Sequence, residues 1–150
     1  MQKAAPRKTR RIIVRRSGIH GRGVFATAAI PGNTRLIEYK GERVVDDERD
    51  ADDASTHTFL FMLDEELVID GSRNGNSARW INHCCEPNCE AVDENGRVFI
   101  ETLRAIEPGE EITIDYNLYL EVRYTAALKR QYACRCGAGQ CRGTMLEERR

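Results

Sequence analysis

The sequence predicts a mostly β domain with little helix, and three observations carry that expectation. Short runs rich in β-branched and aromatic residues recur along the 150 residues. Between them stand turn residues such as Pro31-Gly32 and Pro108-Gly109, in which Pro fixes φ and Gly accepts φ > 0. Only residues 118–132 have the length and approximate spacing of a full helix, through Leu120, Tyr124, Ala127 and Leu128.

In chain order, residues 11–15 form a β-branched strand. Ser17-Gly18-Ile19-His20-Gly21-Arg22-Gly23 is a Gly-rich turn before the apolar run Val24-Phe25-Ala26. Pro31-Gly32 is read as a type II turn that launches a strand over 35–39. A strand over 58–63 turns at Asp64-Glu65-Glu66 and returns over 67–70. Residues 71–76 are a loop, and 77–81 a single helical turn. A strand over 98–103, the Pro108-Gly109 turn and a strand over 111–115 follow, then the helix.

Two of these segments echo one another. Ala29-Ile30-Pro31-Gly32 leads to Glu38-Tyr39, and Ala105-Ile106-Glu107-Pro108-Gly109 leads to Asp115-Tyr116. Matched turns and strands would deliver two phenols from equivalent strand ends, where they could converge.

Composition excludes several classes. A chain of this length buries one modest core. Its 41% hydrophobic and 31% charged content suits a soluble globular domain. No apolar run reaches the roughly 18 residues of a membrane span, and the basic N-terminus lacks an apolar secretory core, so a cytoplasmic or nuclear location is expected. The net charge of -1 hides a division, since the first 16 residues hold seven basic residues and no acid. The remainder is acidic, most of all at Asp46-Asp47-Glu48-Arg49-Asp50-Ala51-Asp52-Asp53. Such a body suits a basic protein or peptide partner. It disfavours nucleic acid, which only the basic leader suits.

The most unusual stretch is Arg79-Trp80-Ile81-Asn82-His83-Cys84-Cys85-Glu86-Pro87-Asn88-Cys89. It is too polar for a core segment and too rich in Cys and Trp for a surface loop. The other cysteines lie in Cys134-Arg135-Cys136-Gly137-Ala138-Gly139-Gln140-Cys141. Three thiolates at this spacing need a fourth ligand to complete the tetrahedral shell of a structural Zn²⁺, and no His lies near. In a reducing compartment disulfides among the six cysteines are disfavoured. Adjacent Cys84 and Cys85 point apart, so one of them can supply the fourth thiolate.

Gly21-Arg22-Gly23-Val24-Phe25, Arg79 through Asn88, Glu110-Glu111-Ile112-Thr113-Ile114-Asp115-Tyr116 and the C-x-C-x4-C tail together resemble the SET-domain protein lysine methyltransferases with a post-SET zinc motif. The resemblance covers roughly residues 12–143 and implies a minimal member without a Cys-rich pre-SET segment. It implies a flexible basic leader over 1–10, a SET domain over 11–117 and a post-SET region over 118–150. The fold it implies has small curved β-sheets around a knot-like core and a zinc-bound tail.

The function implied is S-adenosyl-L-methionine-dependent methylation of the ε-amine of a lysine in a histone or histone-like tail. A catalytically weak module that binds basic tails is the alternative. Tyr116 matches the family's catalytic tyrosine and Tyr39 a channel tyrosine. Phe59 matches a channel wall, and Ile114 matches the position that sets how many methyl groups are added. Gly21, Arg22, Gly23, Val24, Asn82 and His83 match cofactor-binding positions. Cys85, Cys134, Cys136 and Cys141 match the zinc ligands, which leaves Cys84 and Cys89 as free thiols. Lys3 and Lys8, in a leader similar to the expected substrates, are candidates for self-methylation.

Overall fold

The computed structural model describes residues 11–45, 60–62, 67–116, 123–134 and 136–146. The basic leader with Lys3 and Lys8, the acidic run 46–53, Phe59 and the turn at 64–66 lie outside the described residues.

Among the described residues, three small sheets make the domain. The first contains β1 (Ile12–Arg16), β2 (Arg22–Ala26), β7 (Asn82–His83) and β10 (Glu111–Ile114), in the order β1-β2-β10-β7. The second contains β3 (Arg35–Tyr39), β8 (Cys89–Glu94) and β9 (Arg97–Thr102), in the order β3-β9-β8. The third pairs β4 (Glu42–Val45) with β6 (Leu67–Asp70), and β6 with β5 (Leu60–Met62). Strand-poor neighbours include a 3-10 turn at Ser77–Trp80 and the helix α1 at Ala126–Gln131. No helix among the described residues is long and apolar enough to cross a membrane.

Alternation explains the central strand. Along β9, Val98, Ile100 and Thr102 point inward while Arg97, Phe99 and Glu101 face out, the period of two that a half-buried strand requires. Val98 and Ile100 join Val24, Ile30, Ile106 and Ile112 in one core, to which Ile69 of β6 also belongs. On the outer face the guanidinium groups of Arg35 and Arg97 lie over the Phe99 ring, and Glu38, Glu94 and Glu101 pair with them.

Strand β8 is absent from the sequence expectation because Glu90, Asp93 and Glu94 make it a poor strand former by composition. Tertiary pairing overrides that, in continuous register from Cys89↔Thr102 to Glu94↔Arg97. Asn95 and Gly96, at φ 54 and 77, close it as a type I′ hairpin. Strand β4 is likewise unexpected and is recruited by β6.

Two expectations are corrected. Of the helix predicted over 118–132, residues 118–122 lie outside the described residues; among the described ones residues 123–125 are not helical, and Thr125 caps the short α1 by accepting from the Leu128 N–H at 3.1 Å. None of its residues is buried, so the approximate apolar spacing met no core. The type II turn expected at Pro31-Gly32 is displaced by one residue. Ile30 and Ile106 pair across an antiparallel bridge through N–H···O bonds of 2.9 and 2.8 Å, and this bridge sets the register. Positive φ then falls at Asn33 (55) and Gly109 (87), each the third residue after its Ile. The two turns do correspond, but they are aligned on the isoleucines and not on the prolines. Asn tolerates the left-handed region well enough to stand where the other turn uses Gly.

Candidate functional site

The central stretch is drawn beside β10 by an unusual pairing. β10 lies antiparallel to β2, with Ile112 opposite Val24, and parallel to β7, with Thr113 opposite Asn82 and Ile114 opposite His83. A parallel neighbour needs a distant crossover, so no local signal announces it. Asn88 reinforces the arrangement: its Nδ2 donates to the Glu111 carbonyl at 2.7 Å, and its Oδ1 accepts from the Thr113 N–H at 2.9 Å. One side chain thereby serves the backbone of β10 where a strand is missing.

Asn82 ties the Gly-rich turn to this seam. Its Nδ2 lies 3.2 Å from the His20 carbonyl, 2.9 Å from the Arg22 carbonyl and 2.8 Å from Glu111 Oε2. Ser17 Oγ donates to the same carboxylate at 2.7 Å. Gly23 leaves room for this carboxylate, because a Cβ there would stand 2.4 Å from Glu111 Oε2 and push it out of place. Glu111 is therefore the hub of the turn, a role that sequence reasoning did not assign although the residue lay within a quoted motif. Gly21 takes φ 42, Val24 is fully buried, and the exposed Arg22 lays its guanidinium 5.4 Å from the centre of the Trp80 ring.

Tyr116 follows β10, and its hydroxyl donates to the Ile81 carbonyl. Tyr39 ends β3, is buried and packs its ring 5.5 Å from that of Phe61. Burial raises both phenols above their ordinary value, and each tyrosine has a charged neighbour that adds to this, Asp70 for Tyr39 and Glu111 for Tyr116. Proximity to Tyr39 raises Tyr116 further, and Tyr116 packs, partly buried, against the core cluster that contains Tyr39. Both stay protonated at neutral pH, which makes them hydrogen-bonding groups and not bases. Ile114 is buried beside them in the core.

The His83 ring is enclosed and used at both nitrogens. Nδ1 accepts the Tyr116 N–H at 2.9 Å, which leaves the proton on Nε2, 3.3 Å from Cys85 Sγ. Burial pushes the imidazole down to about 4 despite the opposing pull of Asp115, so the ring is neutral. Its side chain is structural in the sense that it joins two elements, and its backbone lies on β7.

Cys85, Cys134, Cys136 and Cys141 meet with all four Sγ atoms within 4.8 Å of one another. Cys85 Sγ lies 3.7 Å from Cys134 Sγ and 4.0 Å from Cys141 Sγ. A tetrahedron with Zn–S bonds of about 2.3 Å has edges of about 3.8 Å, so the thiols already stand at the spacing such an ion requires. Backbone N–H groups of Cys136, Arg142 and Gly143 point at the sulfurs of Cys134, Cys85 and Cys141, as thiolates need. At Cys136 burial opposes ionisation, but the N–H donors of Cys85 and Ala138 and the neighbouring thiols outweigh it and bring the group down to about 6.

All six cysteines are free thiols. Burial holds Cys84 up at about 11 and Cys89 at about 12, so both are protonated and inert at neutral pH. Of the adjacent pair, Cys85 is one of the four clustered thiols, whereas Cys84 bonds the backbone of Glu86 and reaches the cluster only at its edge, beside Cys136.

The structure thus gathers Tyr39, Tyr116, Ile114, Asn82, His83 and the four cysteines around one seam, with the Gly21 to Val24 turn on its β2 side. A family model for the SET domain matches residues 21–117. The histone-lysine N-methyltransferase trithorax of Drosophila melanogaster is 40% identical over 136 residues, covering 85% of this chain and 4% of that protein. An H3 lysine-4 specific histone-lysine N-methyltransferase of Candida albicans is 35% identical over 150 residues, 93% of this chain and 14% of that protein. Histone-lysine N-methyltransferase 2B of Homo sapiens is 38% identical over 138 residues, 86% of this chain and 5% of that protein. The chain therefore spans only a small part of the length of the curated relatives it matches.

Proposed function

This chain belongs to the SET-domain family, and from that premise we propose that it transfers a methyl group from S-adenosyl-L-methionine to the ε-amine of a lysine in a histone or similarly basic tail. The observation that carries the reading is the placing of buried Tyr39 and partly buried Tyr116 on one core cluster, beside the Asn82-His83 strand and the Gly-rich turn. The related proteins named as histone-lysine methyltransferases support the substrate class.

The residues present fit the cofactor. Arg22 offers a cation for a carboxylate at the exposed edge of the turn. The carbonyls of His20 and Arg22 and the Glu111 carboxylate hold the Asn82 amide nitrogen, which leaves Asn82 Oδ1 as the acceptor for an ammonium group. The backbone of His83 faces the remaining, adenine-binding role. When bound, S-adenosyl-L-methionine supplies an electrophilic methyl group on a sulfonium.

The protein's part in such a reaction is positioning, charge placement and exclusion of water. The Tyr116 hydroxyl, anchored on the Ile81 carbonyl, retains lone pairs to orient a neutral amine, and Tyr39 supports it from the facing strand. Neither phenol can remove the amine's proton, so that proton leaves to solvent before transfer. Ile114 cannot bond a water in the channel, and the reading therefore includes di- or trimethyl-lysine as products. Phe59 is assigned a channel wall.

The four cysteines hold one structural Zn²⁺, which crosslinks the 118–150 tail to the 11–117 body. The leader of residues 1–10 is a separate arm in this reading, and the protein acts where its basic substrate is found, in the nucleus or cytoplasm. A catalytically weak module that only binds basic tails would keep the acidic body but would have no use for a cofactor corner. Incubation with labelled S-adenosyl-L-methionine and a panel of histone H3, nucleosomes and basic peptides separates the two. Label on lysine is expected; peptide binding without cofactor binding would replace the enzyme by the module.

A further inference from the structure

Two connections run from the thiol cluster to Tyr116. The His83 ring is one, between Cys85 Sγ and the Tyr116 N–H. Arg142 makes the other. Its backbone N–H donates to Cys85 Sγ at 3.3 Å, while its Nη1 and Nη2 grip the two Asp115 oxygens at 2.8 and 3.0 Å. Arg142 directly follows the thiol Cys141, and Asp115 directly precedes Tyr116. A forked guanidinium–carboxylate pair fixes direction as well as distance, which an ammonium cannot do. At 23 and 29% side-chain exposure the two partners are too enclosed to be fully screened by solvent. Asp115 also lies 3.5 Å from His83 Nδ1, so the two connections meet at the strand end.

We propose that Arg142 is a positioning residue: by holding Cys85 with its backbone and Asp115 with its side chain, it transmits closure of the cysteine cluster to the peptide that carries Tyr116. The tail then does more than cover the site, because its closure sets where the tyrosine hydroxyl stands. The mechanical half of this is independent of the reaction, whereas the kinetic half rests on the methyl-transfer reading.

The test uses the zinc-loaded full chain as wild type, Arg142→Gln, Arg142→Lys, Asp115→Asn and the Asp115→Asn/Arg142→Gln double variant. Zinc release to a colorimetric chelator should be faster in Asp115→Asn, although Asp115 is not one of the four thiol residues. The Tyr116 amide resonance should move in Arg142→Gln, where the substituted residue is remote from Tyr116 in sequence. Zinc release in Arg142→Gln should rise likewise, Arg142→Lys should lie between, and the double variant should be no worse than either single, because both remove one coupling. In turnover, kcat should fall about tenfold or more while KM for the cofactor is held, as expected for a misplaced reacting group. Unchanged zinc release in Asp115→Asn, or an unmoved Tyr116 resonance in folded Arg142→Gln, overturns the proposal, whatever happens to turnover. A rise in KM with kcat intact contradicts its kinetic half. Should Arg142→Gln fail to fold, Asp115→Asn carries the test alone. A wild type that shows the zinc and resonance effects but transfers no methyl group would leave the coupling standing and remove the enzyme reading.

Discussion

The β3-β9-β8 sheet and the β10-β7 seam lie side by side and are held together in different ways. In the sheet, Val98, Ile100 and Thr102 are buried by simple alternation, and the charged residues Arg35, Glu38, Glu94, Arg97 and Glu101 stay on the wet face. In the seam, polar side chains are buried and each serves several partners: Asn82, His83 and Asn88 are all less than 6% exposed. Each buried polar group there must keep its bonds or lose the free energy of leaving water. The difference teaches where function and stability reside. Changes in the sheet should cost stability at constant chemistry, and changes in the seam should cost chemistry at nearly constant fold.

The largest expected effect comes from metal removal. A strong chelator should abolish methyl transfer while circular dichroism still reports the strands, because the thiol cluster closes the tail and contributes nothing to the β9 ladder. Loss of strand signal in step with activity would erase the distinction. Active protein found without zinc would refute the structural role given to Cys85, Cys134, Cys136 and Cys141.

On the other side of the comparison, Ile100→Ala removes a fully buried side chain from the sheet and should cost about 2–5 kcal/mol of stability. Denaturant unfolding measures that loss, and kcat/KM of the fraction that remains folded should match wild type. Altered turnover in folded Ile100→Ala would mean that the core and the seam are one unit.

The sequence made the sheet far more legible than the seam. β3 and β9 were readable from a period of two, whereas β7 is only Asn82-His83 and exists because β10 accepts it in parallel register. The site residues were recognisable through motif resemblance, since no periodicity points to a cysteine at position 85 meeting a tail some fifty residues later. Glu111 as the hub of the turn and Arg142 as a clamp could not be read, because each depends on a carbonyl or carboxylate brought in by the fold. The short helix failed for a related reason: spacing alone does not say whether a core is waiting for the apolar face.

Two smaller effects sharpen the seam. Ile114→Tyr should restrict the product to fewer methyl groups by giving the channel a hydroxyl that can bond a water, and mass spectra of a modified peptide would show it. Wild type that stops at monomethyl-lysine under excess cofactor would overturn that reading of Ile114. The smallest effect is expected at Cys84→Ser, because the thiol is protonated and bonds the Glu86 backbone and the edge of the cluster at Cys136, contacts a hydroxyl can also make; zinc content by metal analysis should be unchanged.

The most direct measurement is the turnover of Tyr116→Phe against wild type, with labelled S-adenosyl-L-methionine and a basic peptide, alongside cofactor affinity and melting temperature. If the seam positions the amine through the tyrosine hydroxyl, kcat should fall at least about a hundredfold, or roughly 2.7 kcal/mol, while cofactor affinity changes little. Melting temperature should drop only slightly, from the unpaired Ile81 carbonyl. Near-normal kcat in a folded, cofactor-binding Tyr116→Phe protein would contradict the account at its centre.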